Sequence, residues 1–189
     1  MNYSFDAEKV FFTSDTHFNH KGIIEFCHRP FKDVEQMDEA LIANWNSVVG
    51  KEDTVFHLGD FCLGGSAKWT HILDRLNGKI YLILGNHDLR NIRQRYIQRF
   101  EHVTMQMFIE IRGQRIYLNH NPFLCYGGAH RNIWQLFGHV HSGPYATDTT
   151  RSLMKKLLPM QYDVGVDNNN FTPVSFEQVK EIIGRTVKY

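Results

Sequence analysis

The sequence predicts a single α/β domain over residues 1–189, and three observations support this fold class. Short apolar runs recur along the chain, and each run ends in a polar cluster. Amphipathic segments of helical length separate the first runs, as expected for parallel strands joined by crossover helices. The 189 residues, of which 42% are hydrophobic, can bury one sizeable core. We therefore expect alternating strands and helices in one unit.

The first half of the chain indicates a strand, helix, strand, helix, strand order. Strands are predicted at residues 10–13, 54–58 and 80–84, because each is a short apolar run. Residues 35–49 and 67–76 carry apolar side chains at helical spacing and are predicted to connect these strands.

The second half shifts towards antiparallel strands. Residues 103–111 and 115–119 flank a short Arg-Gly-Gln link at residues 112–114, which predicts a hairpin. The segment 148–159 carries no readable pattern. The other predicted elements are a helix with a cationic face at 89–100, strands at 133–137 and 162–166, and a final helix at 175–183.

Composition excludes several classes of function. The formal net charge is +1 and the isoelectric point is near 7.8, so the basic excess of general nucleic-acid or acidic-membrane binders is missing. Three cysteines are too few for a disulfide framework. No segment approaches the roughly 20 apolar residues that span a bilayer, and residues 1–10 lack the apolar core of a secretion signal. We expect a cytoplasmic protein with no membrane partner.

Polar clusters follow five of the predicted strands. Because ligand sites in open α/β sheets form outside the carboxyl ends of strands, these clusters are expected to converge. Imidazole suits zinc, iron, manganese or nickel, and carboxylate and amide oxygens suit manganese, so the mixed set predicts a transition metal. Seven ligands serve two ions better than one that must keep positions for water and substrate. The predicted metal ligands are Asp15, His17, Asp60, Asn86, His120, His139 and His141.

Asp60 is the natural bridge between two ions. The preceding residue is Gly59, which lets the backbone bend sharply and bring the carboxylate close to both. For comparison, His57 lies inside an apolar strand and is interpreted as a structural residue.

Five motifs occur in a fixed order: Asp15-Thr16-His17, Gly59-Asp60, Gly85-Asn86-His87-Asp88, a lone His120 and Gly138-His139-Val140-His141. Over roughly residues 10 to 170 they resemble the calcineurin-like metallophosphoesterases, in particular the small single-domain bacterial and phage members. The resemblance implies a two-sheet β-sandwich flanked by helices, in α/β/β/α layers. Leu63 stands where many members have a second acid, so support around the ligands is expected to differ there.

The resemblance also implies how the ligands divide between two metals. Asp15, His17 and His141 would bind the first ion, and Asn86, His120 and His139 the second, with Asp60 between them. Manganese is the first expectation, with nickel, iron or zinc as alternatives.

The predicted reaction is hydrolysis of a phosphate ester. Two divalent ions lower the pKa of a shared water, and the resulting hydroxide attacks phosphorus in line. Asp60 and His87 are the predicted catalytic residues. His87 would protonate the leaving alkoxide, and Asp88 or Asp15 would orient its ring. The predicted substrate contacts are Arg90, Asn19, His20 and His130.

Several functions stay open on the sequence alone. A small phosphorylated substrate, a phosphodiester of nucleotide type, is preferred because an open site accommodates two substituents on phosphorus. A small-molecule phosphomonoesterase is the nearest alternative, and a nuclease is supported only by the cationic segment 90–99. A scaffold-type binding module on the same fold would have lost ligands, whereas every ligand position is filled here. The sequence does not define the oligomeric state.

Overall fold

The computed structural model describes residues 5–91 and 97–186, and two mixed β-sheets form its centre. In the first sheet the strands have the order β4-β3-β2-β1-β9. Strands β1 to β4 run parallel, and β9 pairs antiparallel with β1. These strands are β1 (Val10–Thr13), β2 (Thr54–His57), β3 (Lys79–Ile83), β4 (His102–Thr104) and β9 (Val174–Ser175).

The second sheet has four strands in the order β5-β6-β7-β8. The first pair is an antiparallel hairpin, and β6, β7 and β8 run parallel. The hairpin turns at Arg112 and Gly113, whose φ angles of 47° and 81° suit the twist of a tight connection. The strands are β5 (Gln106–Ile111), β6 (Gln114–Asn119), β7 (Trp134–Phe137) and β8 (Gln161–Asp163).

Helices flank the two sheets. The longest, α2, begins where the Asp33 carboxylate accepts a hydrogen bond from the Gln36 N–H at 2.8 Å. Short 3₁₀ turns occur at Ala7–Lys9, Ala129–Arg131 and Val166–Asn168. The α-helices are α1 (Lys21–Phe26), α2 (Val34–Val48), α3 (Ser66–Leu73), α4 (Asp88–Asn91), α5 (Asp148–Met154) and α6 (Phe176–Thr186).

Two apolar layers hold this arrangement together. Because successive strand residues point to opposite faces, Phe11 of β1 packs in a layer with Trp45 of α2, on the helical side of the first sheet. Its neighbour Phe12 packs between the sheets, in a layer with Ile116 and Leu136. Burying a large apolar side chain contributes roughly 1.5 to 3 kcal/mol, so both layers stabilise the sandwich. The predicted fold class, two sheets flanked by helices, is confirmed.

The prediction of one strand over residues 103–111 is wrong. Strand β4 ends at Thr104 and belongs to the first sheet, whereas β5 begins at Gln106 and belongs to the second. Met105, which links them, is exposed. The apolar run is continuous in sequence because both short strands are partly buried, and nothing in it marks the change of sheet.

Smaller differences lie at the ends of elements. Helix α3 ends at Leu73, three residues earlier than predicted, and the chain then turns at Gly78, which has a φ of +91°. Strand β8 covers residues 161–163 instead of 162–166, and Val166 begins a 3₁₀ turn. The segment 148–159, which carries no recognisable pattern, contains α5.

The predicted helix at 89–100 is described only in part. Helix α4 covers its start, and residues 92–96, including Arg93 and Arg95, lie outside the described residues. Arg99 pairs with Asp74 at 2.5 Å on the surface. Within the ranges 5–91 and 97–186, no helix is both long enough and apolar enough to cross a bilayer.

Candidate metal centre

The seven predicted ligands all follow the carboxyl ends of strands, namely β1, β2, β3, β6 and β7. The chain reverses sharply at these points. Five of the seven ligands adopt left-handed backbone conformations, which cost L residues of order 1–2 kcal/mol each and persist where surrounding contacts enforce them. They are Asp15 (φ 58°), His17 (49°), Asp60 (57°), His139 (71°) and His141 (47°).

The first group of ligands, called the first triad, consists of Asp15, His17 and His141. One ligand atom from each lies within 4.8 Å of the other two. Asp15 Oδ1 lies 3.9 Å from both His17 Nε2 and His141 Nε2. Three potential ligand atoms therefore face one small volume.

The second triad consists of Asp60, His120 and His139, whose ligand atoms also lie within 4.8 Å of one another. His120 donates its Nδ1–H to the Leu58 carbonyl at 2.7 Å, which leaves Nε2 directed at the site. That Nε2 atom lies 3.4 Å from Asp60 Oδ2 and 3.1 Å from Asn86 Oδ1. Asn86 therefore lies beside the second triad, the group to which the resemblance assigns it, and its role as a ligand stays a prediction.

Asp60, a member of the second triad, also faces the first. Its Oδ2 atom is 3.4 Å from His120 Nε2 and 3.6 Å from His17 Nε2, so one oxygen faces both groups. Close approach of two glycines makes this possible. A Cβ on Gly85 would lie 2.2 Å from Asp60 Oδ1, and a Cβ on Gly59, at φ +102°, would lie 2.6 Å from His120 Nδ1.

The donor set fits divalent cations. Among the described residues, Asp15 Oδ1 and His17 Nε2 are buried polar atoms without a hydrogen-bond partner, which is costly unless a ligand satisfies them. Burial alone would lower the pKa of both His120 and His141, but hydrogen bonds to Asp60 and Asp167 raise these values to about 9 and about 11. The carboxylates of Asp60 and Asp167 thus favour positive charge on these histidines. A bound metal would supply that charge in place of the protons.

A buried ion pair that the sequence analysis missed supports the first triad. Arg29 donates from Nε and Nη2 to the two carboxylate oxygens of Asp167, both at 2.8 Å. Asp167 Oδ2 lies 2.8 Å from His141 Nδ1 and fixes that ring, while Arg29 Nη2 also donates to the Asp15 carbonyl at 2.7 Å. One arginine therefore braces two members of the triad.

Two further buried carboxylates hold the loops that carry the ligands. Asp88 accepts hydrogen bonds from the N–H groups of Asp60, Phe61 and Gly85 at 2.7 to 3.0 Å. Asp163 accepts from the N–H and hydroxyl of Ser142, next to His141. Burial raises the pKa of each carboxyl to about 6.

The expected orientation of the His87 ring by Asp88 or Asp15 is wrong. The two oxygens of Asp88 are committed to backbone N–H groups, and Asp15 Oδ2 accepts from the His139 N–H at 2.9 Å. The His87 ring instead lies beside His17 and His20, with ring centroids 5.1 and 5.6 Å away. The backbone N–H of His87 donates to Asp60 Oδ1 at 2.8 Å.

A cavity of about 990 Å³ opens on the two triads. Of the four predicted substrate contacts, His20 lines it, as does His87. Asn19 instead donates its side-chain N–H to the Leu63 carbonyl at 3.0 Å, and its backbone N–H binds the Asp38 carboxylate. Asn19 therefore supports the loop at Leu63, the residue that stands where many family members have a second acid. Arg90 and His130 are exposed and lie outside the described lining of the cavity.

His57 has the structural role that its apolar strand indicates. It is fully buried, and its Nε2 atom lies 2.9 Å from the Thr16 hydroxyl. Burial lowers the pKa of His57 to about 3, so the ring is neutral.

Comparison with known proteins identifies the family. The family model described as calcineurin-like phosphoesterase matches residues 8–167, which include all seven predicted ligands. The chain belongs to this family. Calcineurin-like phosphoesterases are metal-dependent, and the two triads give this member candidate metal-binding clusters.

Several relatives of this calcineurin-like phosphoesterase resemble it over most of their length. An uncharacterized protein of Methanocaldococcus jannaschii is 34% identical over 189 residues, covering 95% of each chain. The Gene 66 protein of Mycobacterium phage L5 is 34% identical over 152 residues, 75% of this chain and 66% of its own. The crystal structure of a protein of unknown function from Aquifex aeolicus gives a TM-score of 0.70 at 25% identity, covering 92% of this chain and 98% of its own.

Proposed function

We propose that this calcineurin-like phosphoesterase hydrolyses small phosphodiesters of nucleotide type at a centre of two divalent metal ions. The observation that carries the proposal is the position of Asp60 Oδ2, 3.4 and 3.6 Å from histidine nitrogens of two different triads. Such an oxygen is suited to contact two cations at once. The proposed ions are manganese, because the ligands mix imidazole with carboxylate and amide oxygen.

The proposed roles of the residues follow from their positions. Asp15, His17 and His141 would hold one cation, and Asn86, His120 and His139 the other, with Asp60 shared. Bound cations would offset phosphoryl charge and lower the pKa of a water molecule. The remaining work falls to side chains in the cavity that are not ligands.

His87 is the proposed proton donor to the leaving oxygen. It lines the cavity, is half-buried, and is anchored through its backbone N–H to the shared Asp60. His20 lies next to it and accepts or donates one hydrogen bond with His17, Nδ1 to Nδ1, at 3.1 Å. We place His20 at the substrate rim.

The preference for diesters is supported by the size of the cavity. About 990 Å³ at the triads leaves room for a substituent on each side of a bound phosphate. A diester carries one negative charge and a monoester up to two. The relative rates for the two substrates therefore also report how much positive charge the site supplies.

Metal reconstitution tests the proposal. The protein is stripped of metal, loaded with manganese, nickel, zinc or magnesium, and assayed on bis-p-nitrophenyl phosphate and p-nitrophenyl phosphate. We expect hydrolysis only with metal, fastest with manganese, and a higher kcat/KM for the diester. Arg75→Met, which removes an exposed ion pair with Glu39, is the control and should match the wild type. Cleavage without metal, or a monoester preference, contradicts the proposal.

The role of His87 has its own test. His87→Ala should retain two metals per chain, lower kcat about 100-fold on a dialkyl phosphate, and change it little on a p-nitrophenyl ester, whose leaving group needs no proton. His71→Ala, at an exposed histidine of α3, is the matched control. Equal losses on both esters would assign His87 a role other than proton donation.

A further inference from the structure

One arm of the cavity is walled by exposed aromatic side chains. Beyond residues of the two triads, the cavity is lined by residues of α1 and of the segment 143–153, which together form this arm. Phe26 of α1 is 71% exposed and Tyr145 is 60% exposed, and both line it. Sites that bind small molecules are concave and lined mainly by apolar and aromatic side chains, as this arm is.

Phe26 connects this arm to the metal centre. Its neighbours Ile23 and Cys27 are buried and anchor α1 in the core, whereas the Phe26 ring remains open to the cavity. The ring centroid lies 6.3 Å from that of His141, with the planes at 78°. A group bound against Phe26 would therefore lie directly beside the first triad.

The segment 143–153, which forms the other wall of the arm, is held in place by its own hydrogen bonds. Thr147 caps α5 by accepting from the Thr150 N–H at 3.2 Å, and the Thr150 hydroxyl donates to the Val140 carbonyl at 3.1 Å. Arg151 donates to the Pro144 carbonyl at 3.3 Å. At the base, Gly143 packs so tightly that a Cβ would lie 2.3 Å from the Asp167 carbonyl oxygen. Tyr145 thus stands on a fixed loop.

The charge of the arm restricts what it binds. Among the cavity-lining residues that the structure describes there is no lysine or arginine, and the carboxylates that line it, Asp60 and Asp167, are already engaged with histidines or Arg29. A second phosphate bound away from the metals would find no cationic partner here. The arm therefore suits an uncharged, apolar group and not a polynucleotide backbone.

We propose that this arm binds the non-reacting substituent of the substrate, and that this substituent is a planar aromatic or heteroaromatic ring held between Phe26 and Tyr145. The proposal rests on the proposed phosphodiesterase function, because it places the reacting phosphate at the triads. Aromatic pairs add attraction beyond burial of area, and the apolar Leu153 extends the surface.

Two esters with the same leaving group and the same charge test this proposal. We compare p-nitrophenyl phenyl phosphate with p-nitrophenyl methyl phosphate on the manganese-loaded protein. The phenyl ester should have a kcat/KM about tenfold higher, and Phe26→Ala or Tyr145→Ala should reduce that ratio to about 2 without changing metal content. Leu124→Ala, at an apolar side chain that is 87% exposed and outside the described cavity lining, is the control and should keep the wild-type ratio.

Binding of diphenyl and dimethyl phosphate, measured by calorimetry, separates this proposal from the proposed function. Tighter binding of diphenyl phosphate by about tenfold, lost in Phe26→Ala, supports the aromatic subsite even if neither p-nitrophenyl ester is hydrolysed, in which case only the proposed function fails. Equal binding of the two, or a preference that survives both alanine variants, overturns the aromatic subsite.

Discussion

Two members of each triad are buried, but the third differs: His141 of the first triad is half-buried, whereas His139 of the second triad is exposed, as is the neighbouring candidate ligand Asn86. The first triad is also braced from behind by the Arg29–Asp167 ion pair. The second triad is held differently: Asp88 accepts a hydrogen bond from the Asp60 N–H, and His120 donates to the Leu58 carbonyl, so no arginine–aspartate pair like that behind the first triad is described there. If two cations bind as proposed, the difference predicts a division of labour: the first position would hold its ion more rigidly, and the second would exchange ligands more readily with the cavity.

Removing the shared carboxylate should have the largest effect, because it breaks both positions at once. Asp60→Asn keeps the shape of the side chain but removes the charge that faces both triads. Loss of an outer-shell partner lowers metal affinity by about 10- to 100-fold. Because Asp60 is a proposed direct ligand, we expect affinity at both metal positions to fall by more than about 100-fold and hydrolysis to be lost. Metal content after dialysis, measured by mass spectrometry, checks this. Retention of one tightly bound ion would show that Asp60 serves only one position.

Disrupting the Arg29–Asp167 ion pair should weaken metal binding at the first triad only. Asp167→Asn takes the anionic partner from His141, so we expect about a 10- to 100-fold weaker first metal and an unchanged second metal in a calorimetric titration. Asp53→Asn, at a half-buried aspartate that accepts from the Gly50 N–H, is the matched control.

A second variant protects this test against a folding defect. Asp167→Asn leaves Arg29 buried without its anionic partner, which costs several kcal/mol, whereas the double variant with Arg29→Met removes both charges. The double variant should fold and show the same selective loss. Equal weakening of both metals would contradict the division between the triads.

The remaining prediction concerns pH and the loop that carries His139 and His141. Burial raises the pKa of Asp163 to about 6, from an ordinary value of about 4. Between these values the folded protein keeps a proton that the unfolded chain releases, so stability falls as pH rises through this window and levels off above it. The loss should be about 3 kcal/mol, since each pKa unit corresponds to about 1.4 kcal/mol.

Urea unfolding of the metal-free protein at pH 4, 5, 6 and 7 measures this contribution. Asp163→Asn cannot lose a proton, so its free energy of unfolding should fall less steeply with pH than that of the wild type. Identical slopes would show that Asp163 is not protonated in the folded protein.

The convergence of the seven candidate ligands could be predicted from the sequence because each follows the end of one of five strands. An apolar run followed by Asp-x-His, Gly-Asp or Gly-His-x-His is a local signal, and the topology of the sheets brings such signals together. His139 and His141 show the limit of this reasoning: the local pattern places both after β7, but their rings join different triads, a division that only the family resemblance implied.

The bracing residues could not be predicted in the same way. Arg29 and Asp167 are separated by 138 positions, and neither has a motif around it that indicates burial. The one available signal was an acid shortly after an apolar strand, which places Asp167 where the other ligands lie. The chain's passage from the first sheet to the second at Met105 was not predicted for a related reason. The hydrophobic pattern of a strand does not show which sheet the strand joins.

The left-handed backbone at five ligands has a consequence for how the site persists. Glycine would fit each of these positions with less strain, so replacing Asp15 or His139 by glycine relieves a local cost of order 1–2 kcal/mol while deleting a ligand. Mutation towards stability alone would therefore erode the centre one residue at a time. Aspartate or histidine at all five positions therefore lowers the folding stability of the metal-free chain, and bound cations would offset this loss.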